Sequence, residues 1–439
     1  MNAQANTQIQ YKGFLRRSWR AEVMAVVLML FFSLTAYSLS LIPVVAGQLH
    51  DELSLSDSQL GLLTSVLMLA LGATAIPAGL AASRLGGRVM IFACGLFVAG
   101  SVLFALSDTF GWLLVGRGLQ GIGGGMTVPA SSVVLTNSLP PEKRGRAWGI
   151  FGIGHGLGVM VALLIMPSVA KAAGYKGVFL TAAALAAGLG LAVALLPQVR
   201  ALPDRPERFP SARHLVRSVR TVGANRRVLL LALFNVTTLG VGVGALAWTP
   251  HYLGVQFGSS TCAAGQLTAM VGAAQLIGNP VGAAAMSRWG KLPVLTVSLV
   301  LLALTMLLVP FAWSLTTVCI LVTLAGFLSM SFFSPLYAYI PFVVRKPEQV
   351  GLASGMVNVF GFGGALLTPY LFGLILDHMG DGSGYLAGYQ LLTAFAVAGV
   401  IGAILFRRTS GVTRRSVPGP SFEATRTDPD VLRCPVDAR

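Results

Sequence analysis

Carboxylates are scarce in this chain. It holds 15 Asp and Glu among 439 residues, against 31 Lys and Arg. Charged residues of both signs make up only 10%, where a soluble protein carries about 25%. A water-facing surface of ordinary composition is therefore excluded. Cysteine is also rare: Cys94, Cys262, Cys319 and Cys434 form no C-x-x-C pair, which removes a disulfide framework and a zinc site. There is no G-x-x-x-x-G-K-[ST] and no H-E-x-x-H, so neither an ATP-binding loop nor a metalloprotease helix is expected. No cofactor or metal is called for. Ionisable residues are almost missing from the apolar stretches. Glu22 stands at the start of the first and Asp377 just after the eleventh; every other Asp or Glu falls in a connection or a tail.

What is present is apolar sequence in long blocks. Ala21–Ala46, Gly61–Ala82, Val89–Leu106 and Trp112–Leu135 follow one another with hardly a charge. Each is close to the roughly 20 residues that cross a bilayer as a helix. The alternation of a barrel strand is missing, so the fold class is an all-α membrane protein. The first block follows Lys12, Arg16, Arg17 and Arg20 but is too long for the 7–15-residue core of a signal peptide. It reads as a retained span.

Twelve spans are expected: 21–46, 58–81, 88–107, 111–136, 145–170 and 177–197, then 227–254, 262–286, 292–311, 315–343, 349–376 and 385–406. Basic residues mark cytoplasmic connections. With a cytoplasmic N-terminus, 28 of the 31 Lys and Arg fall on the inside; Lys171 and Lys176 fall outside and Arg117 within the membrane. Asp51, Glu52, Asp57, Asp108, Asp377 and Asp381 all fall outside. A wrong span count would scramble this alternation. The +16 net charge is thus topological, with attraction to anionic lipid rather than nucleic acid. The organisation is a cytoplasmic tail (1–20), a six-helix half (21–197), a cytoplasmic linker (198–226), a second six-helix half (227–406) and a disordered cytoplasmic tail (407–439). A short surface helix is expected around His214–Arg220.

The halves repeat at an offset of about 205 residues. "PEKRGRAWG" (Pro141–Gly149) matches "PEQVGLASG" (Pro347–Gly355), and "SRLGGR" (Ser83–Arg88) matches "SRWGKL" (Ser287–Leu292). Parallel repeats of this size are a transporter architecture, with substrate bound between them near the midplane.

Two motifs carry a family resemblance. "GLAASRLGGR" (Gly79–Arg88) is similar to the loop between spans two and three of the major facilitator superfamily, and "RGLQGIGGG" (Arg117–Gly125) closely resembles that family's fourth-span motif. The resemblance covers nearly all of residues 20–408. It implies the family's two-half, twelve-helix fold and places Gly79, Arg84, Gly86, Arg88, Arg288 and Gly290 in conformational gating loops. Ser83 stands where the family usually has an Asp, so that charged latch is absent in its usual form. In span five, "GIFGIGHGLGVM" has His155 where the family's drug/proton antiporters have proline. The glycine-rich eleventh span resembles that of nitrate/nitrite porters, but their arginines in spans two and eight have no counterpart here.

Polar side chains fall on faces at 100° per residue. Arg117, Gln120, Gly124 and Ser131 share one in span four; Ser33, Tyr37 and Ser40 one in span one; Asn235, Thr238, Gly242 and Thr249 one in span seven; Ser331, Ser334 and Tyr337 a wide stripe in span ten. The resemblance implies that these four spans line the central cavity. Spans five, eight and eleven add His155, Gln275, Asn279 and Asn358. The candidate substrate-binding set is Arg117, Gln120, Tyr37, Asn235, Thr238, Ser334, Tyr337, Gln275, Asn279 and Asn358. His155 is the candidate proton carrier. Gly121, Gly123, Gly154 and Gly158 are read as helix-packing positions, and Trp248 and Tyr252 as interfacial belt residues.

Arg117 is the anomaly. An arginine at the centre of a spanning helix costs about 2.5–3.5 kcal/mol on insertion scales, and no mid-membrane acid pairs with it. A carrier of cations needs a buried counter-charge, which is missing. A carrier of anions needs a buried cation, which is present, and a guanidinium grips a carboxylate with two parallel bonds. The expectation is a plasma-membrane secondary transporter, monomeric, moving a small organic anion by alternating access, with protons as a candidate coupling ion. The alternative is an efflux pump for neutral or hydrophobic compounds with Arg117 structural. A membrane hydrolase is disfavoured, because His155 has no catalytic neighbour in the chain.

Overall fold

Proline and glycine place the breaks in the helices. Proline lacks an N–H and crowds the carbonyl four residues back. Pro43 follows a break at Ser40, Pro129 one at Met126 and Pro335 one at Phe332. Glycine supplies the left-handed turns. Gly86 (φ 59°) and Gly290 (φ 88°) end two helices, and Gly174 (φ 65°) and Gly380 (φ 68°) interrupt two long helical runs. A side chain at such φ values is strained. Met126 and Phe332, Gly86 and Gly290, and Gly174 and Gly380 are each separated by 204–206 residues, so the sequence repeat is also a repeat of backbone conformation.

The computed structural model describes residues 22–139, 141–200, 219–344 and 349–410. Both tails and most of the linker, including the helix expected around His214, lie outside the described residues, as do the side chains of Ser83 and Ser334. The first half comprises α1 (Glu22–Leu53), α2 (Asp57–Leu85), α3 (Arg88–Leu106), α4 (Phe110–Gly125 and Thr127–Ser138), and α5 and α6 (141–173 and 175–195). The second comprises α7 (Arg226–Phe257), α8 (Thr261–Trp289), α9 (Lys291–Leu308), α10 (Leu315–Ser331 and Phe333–Val343), and α11 and α12 (349–379 and 381–410). No strand occurs among the described residues. Among the described residues eight helical stretches are long and apolar enough to cross a membrane; Ile150–Leu195 and Leu352–Arg408 span 46 and 57 residues. A crossing takes about 20 residues, so each of these two accommodates two helices, parted at its positive-φ glycine. The first helix runs past the expected end at residue 46 to Leu53.

The two ends of the bundle differ in charge. Asp57, Asp108, Asp377 and Asp381 lie at one end and Arg84, Arg88, Arg288 and Lys291 at the other; these are the acidic and basic ends below. Two seams join the halves. In the first, α2 meets α11: a Cβ on Gly61 would sit 2.3 Å from the Pro369 carbonyl oxygen, and one on Gly373 2.4 Å from that of Asp57. In the second, α5 meets α8: a Cβ on Gly265 would sit 2.5 Å from the Pro167 ring, and one on Gly156 2.7 Å from the Gly272 oxygen. The Gly265 Cβ would also come 3.0 Å from the Leu163 oxygen, so Gly61/Pro369 and Gly265/Leu163 are the same contact in the two repeats. Small residues are what allow helices to approach this closely. Toward the basic end a Cβ on Gly355 would meet nothing within 4 Å, and one on Gly79 only Pro129 of its own half. Among the described residues the halves are joined at the acidic end and part toward the basic end.

Candidate functional site

Where the α5–α8 seam passes mid-helix, three polar side chains from opposite halves meet. His155 Nδ1 lies 3.3 Å from Gln275 Oε1. One turn toward the basic end, a Cβ on Gly152 would come 3.8 Å from the Asn279 side-chain nitrogen. His155 and Gly152 are three residues apart on α5, Gln275 and Asn279 four apart on α8, so each pair shares a helix face. Phe32 of α1 lies beside His155, ring centroids 6.0 Å apart, and stacks on Phe151 at 4.6 Å. At the facing seam Phe362 of α11 packs on Gly72, 3.1 Å from its ideal Cβ. Asn358, half-buried, is one turn nearer the basic end on that same α11 face. These amide, imidazole and aromatic groups stand along the two seams toward the ends where the halves part. It can offer hydrogen bonds from both sides and flat apolar walls to a small solute.

Arg117 is elsewhere. Its side chain is 0% exposed inside the first half. Nη1 donates to the Ser38 carbonyl (2.9 Å), to Ser38 Oγ (3.3 Å) and to Gln120 Oε1 (2.7 Å), and Nε donates to the Leu63 carbonyl (3.2 Å). Ser38 Oγ donates to Gln120 Oε1 (2.9 Å), and Gln120 Nε2 to Ser101 Oγ (2.8 Å). The guanidinium thus ties α4 to α1 and α2, and Gln120 ties it to α3. Nη2 has no partner. The close approach of α4 that makes this possible rests on glycine: a Cβ on Gly121 would sit 2.4 Å from the Leu67 oxygen and one on Gly123 2.8 Å from the Ala93 oxygen.

The remaining candidates sit inside their own halves. Tyr37 OH donates to Met166 Sδ (2.9 Å). Asn235 Nδ2 donates to the Val357 carbonyl (3.0 Å), holding α7 to α11, and the Asn235 side chain also meets the buried Tyr337 hydroxyl. Thr238 Oγ1 donates to the Phe234 carbonyl of its own helix. Gly154 and Gly158 press α5 on α1, their ideal Cβ positions 2.3 Å from the Met29 oxygen and 2.1 Å from the Ser33 oxygen. The structure therefore brings His155, Gln275 and Asn279 together and keeps Arg117 and Gln120 apart from them in the helix wall.

One expectation needs correction. Trp248 and Tyr252 are not belt residues: each is 3% exposed. Trp248 stacks on Phe372 at 5.5 Å and donates to the Pro369 carbonyl (3.1 Å), while Tyr252 packs against Tyr385 and Tyr389 at 5.1 and 5.3 Å. Helices α11 and α12 cover this end of α7, so its aromatics are core. Sequence reasoning also passed over Ser38, Ser101 and the Leu63 carbonyl, which complete the Arg117 network. Ser38 lies one residue off the expected span-one stripe, and a backbone acceptor carries no signal in residue identity.

Over residues 25–274 and 256–434 the chain matches the Major Facilitator Superfamily. Among curated relatives, the nitrite extrusion protein of Bacillus subtilis (strain 168) is 24% identical over 370 residues, covering 82% of this chain and 88% of the relative. The probable L-galactonate transporter of Escherichia coli (strain K12) is 25% identical over 408 residues, covering 86% and 88%. Among solved structures, a bacterial homolog of the human lysosomal transporter Spinster, in an inward-facing and occupied conformation, superposes with TM-score 0.70 at 20% identity, covering 88% of this chain and 96% of that one. A nucleoside transporter gives TM-score 0.72 at 16% identity, covering 89% and 99%. The match spans both halves, and the chain belongs to the major facilitator superfamily as a multi-pass membrane transporter.

Proposed function

We propose that this transporter moves a small organic anion by alternating access, binding it between the halves at His155, Gln275 and Asn279. The observation that carries the reading is the uncompensated charge of Arg117. Its described partners are neutral carbonyl, hydroxyl and amide oxygens, and one nitrogen, Nη2, has none. Asp and Glu stand only at helix ends and connections. A unit charge felt across about 10 Å at an effective dielectric near 20 is worth about 1.7 kcal/mol, so a fixed guanidinium in the wall favours an anion at the interface without touching it. Nitrite and galactonate, named for two relatives, are both anions. The positive-inside rule makes the basic end cytoplasmic and, with twelve crossings, both termini cytoplasmic. His155 is the proposed proton carrier.

Uptake by the purified protein in liposomes, screened over labelled carboxylates, sugars and amines, tests this. Wild type should favour carboxylates. Arg117→Gln should lose that preference at normal membrane levels, and His155→Gln should flatten the pH dependence of uptake while sparing counterflow exchange. If only neutral or cationic compounds are ever carried, the anion reading falls; if Arg117→Gln carries carboxylates as wild type does, Arg117 is not the source of the preference. The second reading, efflux of neutral or hydrophobic compounds, is favoured by the complete burial of Arg117 and by the Phe32–Phe151 stack beside His155. It takes the lead if no carboxylate is carried.

A further inference from the structure

The acidic end of the α2–α11 seam carries a contact that its pseudo-symmetric mate lacks among the described residues. A helix begins with four N–H groups that have no partner in the helix's previous turn. At α2 all four are accounted for, and the helix's own bonds begin at Leu60 N, which donates to the Ser56 carbonyl (3.0 Å). Gln59 N donates to Ser56 Oγ (3.3 Å), and Ser56 N donates to the Gln59 side chain (2.9 Å). The other two N–H groups are filled from the opposite half. Asp57 N donates to Asp377 Oδ1 (2.8 Å) and Ser58 N to Asp377 Oδ2 (3.0 Å). Asp377 belongs to the end of α11. Its carboxylate therefore completes the start of a helix in the first half, where the macrodipole also favours a negative charge.

The surroundings hold it there. Gly61 and Gly373 let the two backbones touch within one to two turns of the contact, and Ser65 Oγ donates to the Leu366 carbonyl (2.5 Å) further along. At the corresponding end of α5–α8, the cap of α8 is local: Ser260 Oγ accepts from Ala263 N (3.3 Å). The cross-half polar contact there is Ser168 Oγ with Cys262 Sγ at 3.8 Å. One seam has a charged clasp and the other a neutral, loose one.

We propose that Asp377 is the gating residue of the acidic end. Its bidentate hold on the α2 N-terminus latches that end shut, and the latch must release for the acidic end to open. An N–H pair and a carboxylate that satisfy each other when closed are returned to water when open, so the latch sets the balance between the two forms. The inference rests on alternating access. Its readout is conformation rather than flux, so its failure and that of the anion reading are separable.

The test uses the full chain with Cys94, Cys262, Cys319 and Cys434 replaced by alanine and spin labels at positions 52 and 383, both exposed at the acidic end in opposite halves. Double electron–electron resonance in liposomes reads the distance distribution. Asp377→Ala should raise the ratio of long-distance to short-distance populations about tenfold, equal to about 1.4 kcal/mol, and the isosteric Asp377→Asn should shift it in the same direction. A second arm approaches the other partner. Asp57→Pro removes the N–H at the first helical position, where proline is well tolerated, and should shift the ratio as Asp377→Asn does; Asp57→Ala keeps the N–H and should not. Asp381, close enough to Asp57 to repel it, is the charge control. An unchanged distribution in the Asp377 variants overturns the proposal, as does an Asp381→Asn shift as large as that of Asp377→Asn, or equal shifts for Asp57→Pro and Asp57→Ala.

Discussion

The two halves repeat one backbone and hold it together by different chemistry. In the first, the interior near the acidic end is a charged hydrogen-bond network: Arg117 with Ser38, Leu63, Gln120 and Ser101. In the second, aromatic rings fill the interior near that end. Trp248, Tyr252, Phe372, Tyr385 and Tyr389 pack at centroid distances of 5.1–6.1 Å, and His251 Nδ1 hydrogen-bonds Tyr385 OH. The position repeating Arg117 at the same offset is Val322. Lipid gives helices little hydrophobic reason to associate, so packing and polar bonds must do it. Directional bonds fix a rotation as well as a distance; stacked rings fix mainly the distance and tolerate sliding. The contrast makes the first half the more geometrically constrained of the two.

The largest expected effect is on the aromatic side. Trp248→Ala should cost about 3–5 kcal/mol, the usual range for deleting a buried large ring, whereas Trp248→Phe keeps the stack on Phe372 and should retain most of that stability. On the polar side the conservative change should fare worse relative to the drastic one. Arg117→Lys keeps the charge but cannot reach the Ser38 and Leu63 carbonyls and Gln120 together, and each buried acceptor left unmatched costs about 1–3 kcal/mol. It should therefore lose nearly as much thermal stability in detergent as Arg117→Gln. Equal tolerance of Trp248→Phe and Arg117→Lys would break the comparison.

A smaller effect tests where the halves agree. A Cβ on Gly158 would sit 2.1 Å from the Ser33 oxygen, and one on Gly364 2.1 Å from the Val236 oxygen; these are the same α5–α1 and α11–α7 contacts in the two repeats. Each Gly→Ala change forces two helices apart, for about 1–3 kcal/mol. Matched losses in melting temperature are expected. A clearly greater loss for Gly158→Ala would sharpen the contrast, because separating α1 from α5 would then also disturb Ser38 and its arginine.

The smallest concerns a surface clasp of the first half. Lys176 Nζ lies 2.8 Å from Asp108 Oδ1, and Tyr175 OH donates to the same oxygen (2.9 Å). The ammonium first, then the phenol, hold the Asp108 carboxyl below the ordinary carboxylate range. A carboxyl with a lowered native pKa adds stability that is present above its unfolded value, near 3.9, and is lost as pH falls through the native one. The group is exposed, so the effect is small. The melting-temperature difference between wild type and Asp108→Asn should be slight at pH 7 and vanish as pH falls below the ordinary carboxylate range. A difference that grows on acidification would show that Asp108 does not act through this pair.

Much of this architecture was legible before any coordinates. Long apolar blocks, the charge alternation of their connections and the paired motifs lead to a two-half helical membrane transporter, because each reports a local property: hydropathy, charge, turn chemistry. The prolines behind the breaks at Ser40, Met126 and Phe332 are equally local. The polar stripes were less informative. Thr238 turns to its own backbone, Asn235 and Tyr37 to neighbouring helices of their halves, and the Trp248 end of α7 proved interior, since a periodicity says which residues share a face but not what covers it.

The chain alone determined that a single full charge would be sunk in apolar helix without an acid to meet it, and that His155, Gln275 and Asn279 would be interior polar groups on two helices. Only the tertiary structure decided their company. Arg117 is received by carbonyls of Ser38 and Leu63, 79 and 54 residues away, and the two free N–H groups of α2 by a carboxylate 319–320 residues on. Every residue but proline brings the same N–H and every residue the same carbonyl. No residue letter therefore marks the peptide group that will accept a buried arginine, or the helix start that will need a distant aspartate. Those matches exist only once the helices are packed.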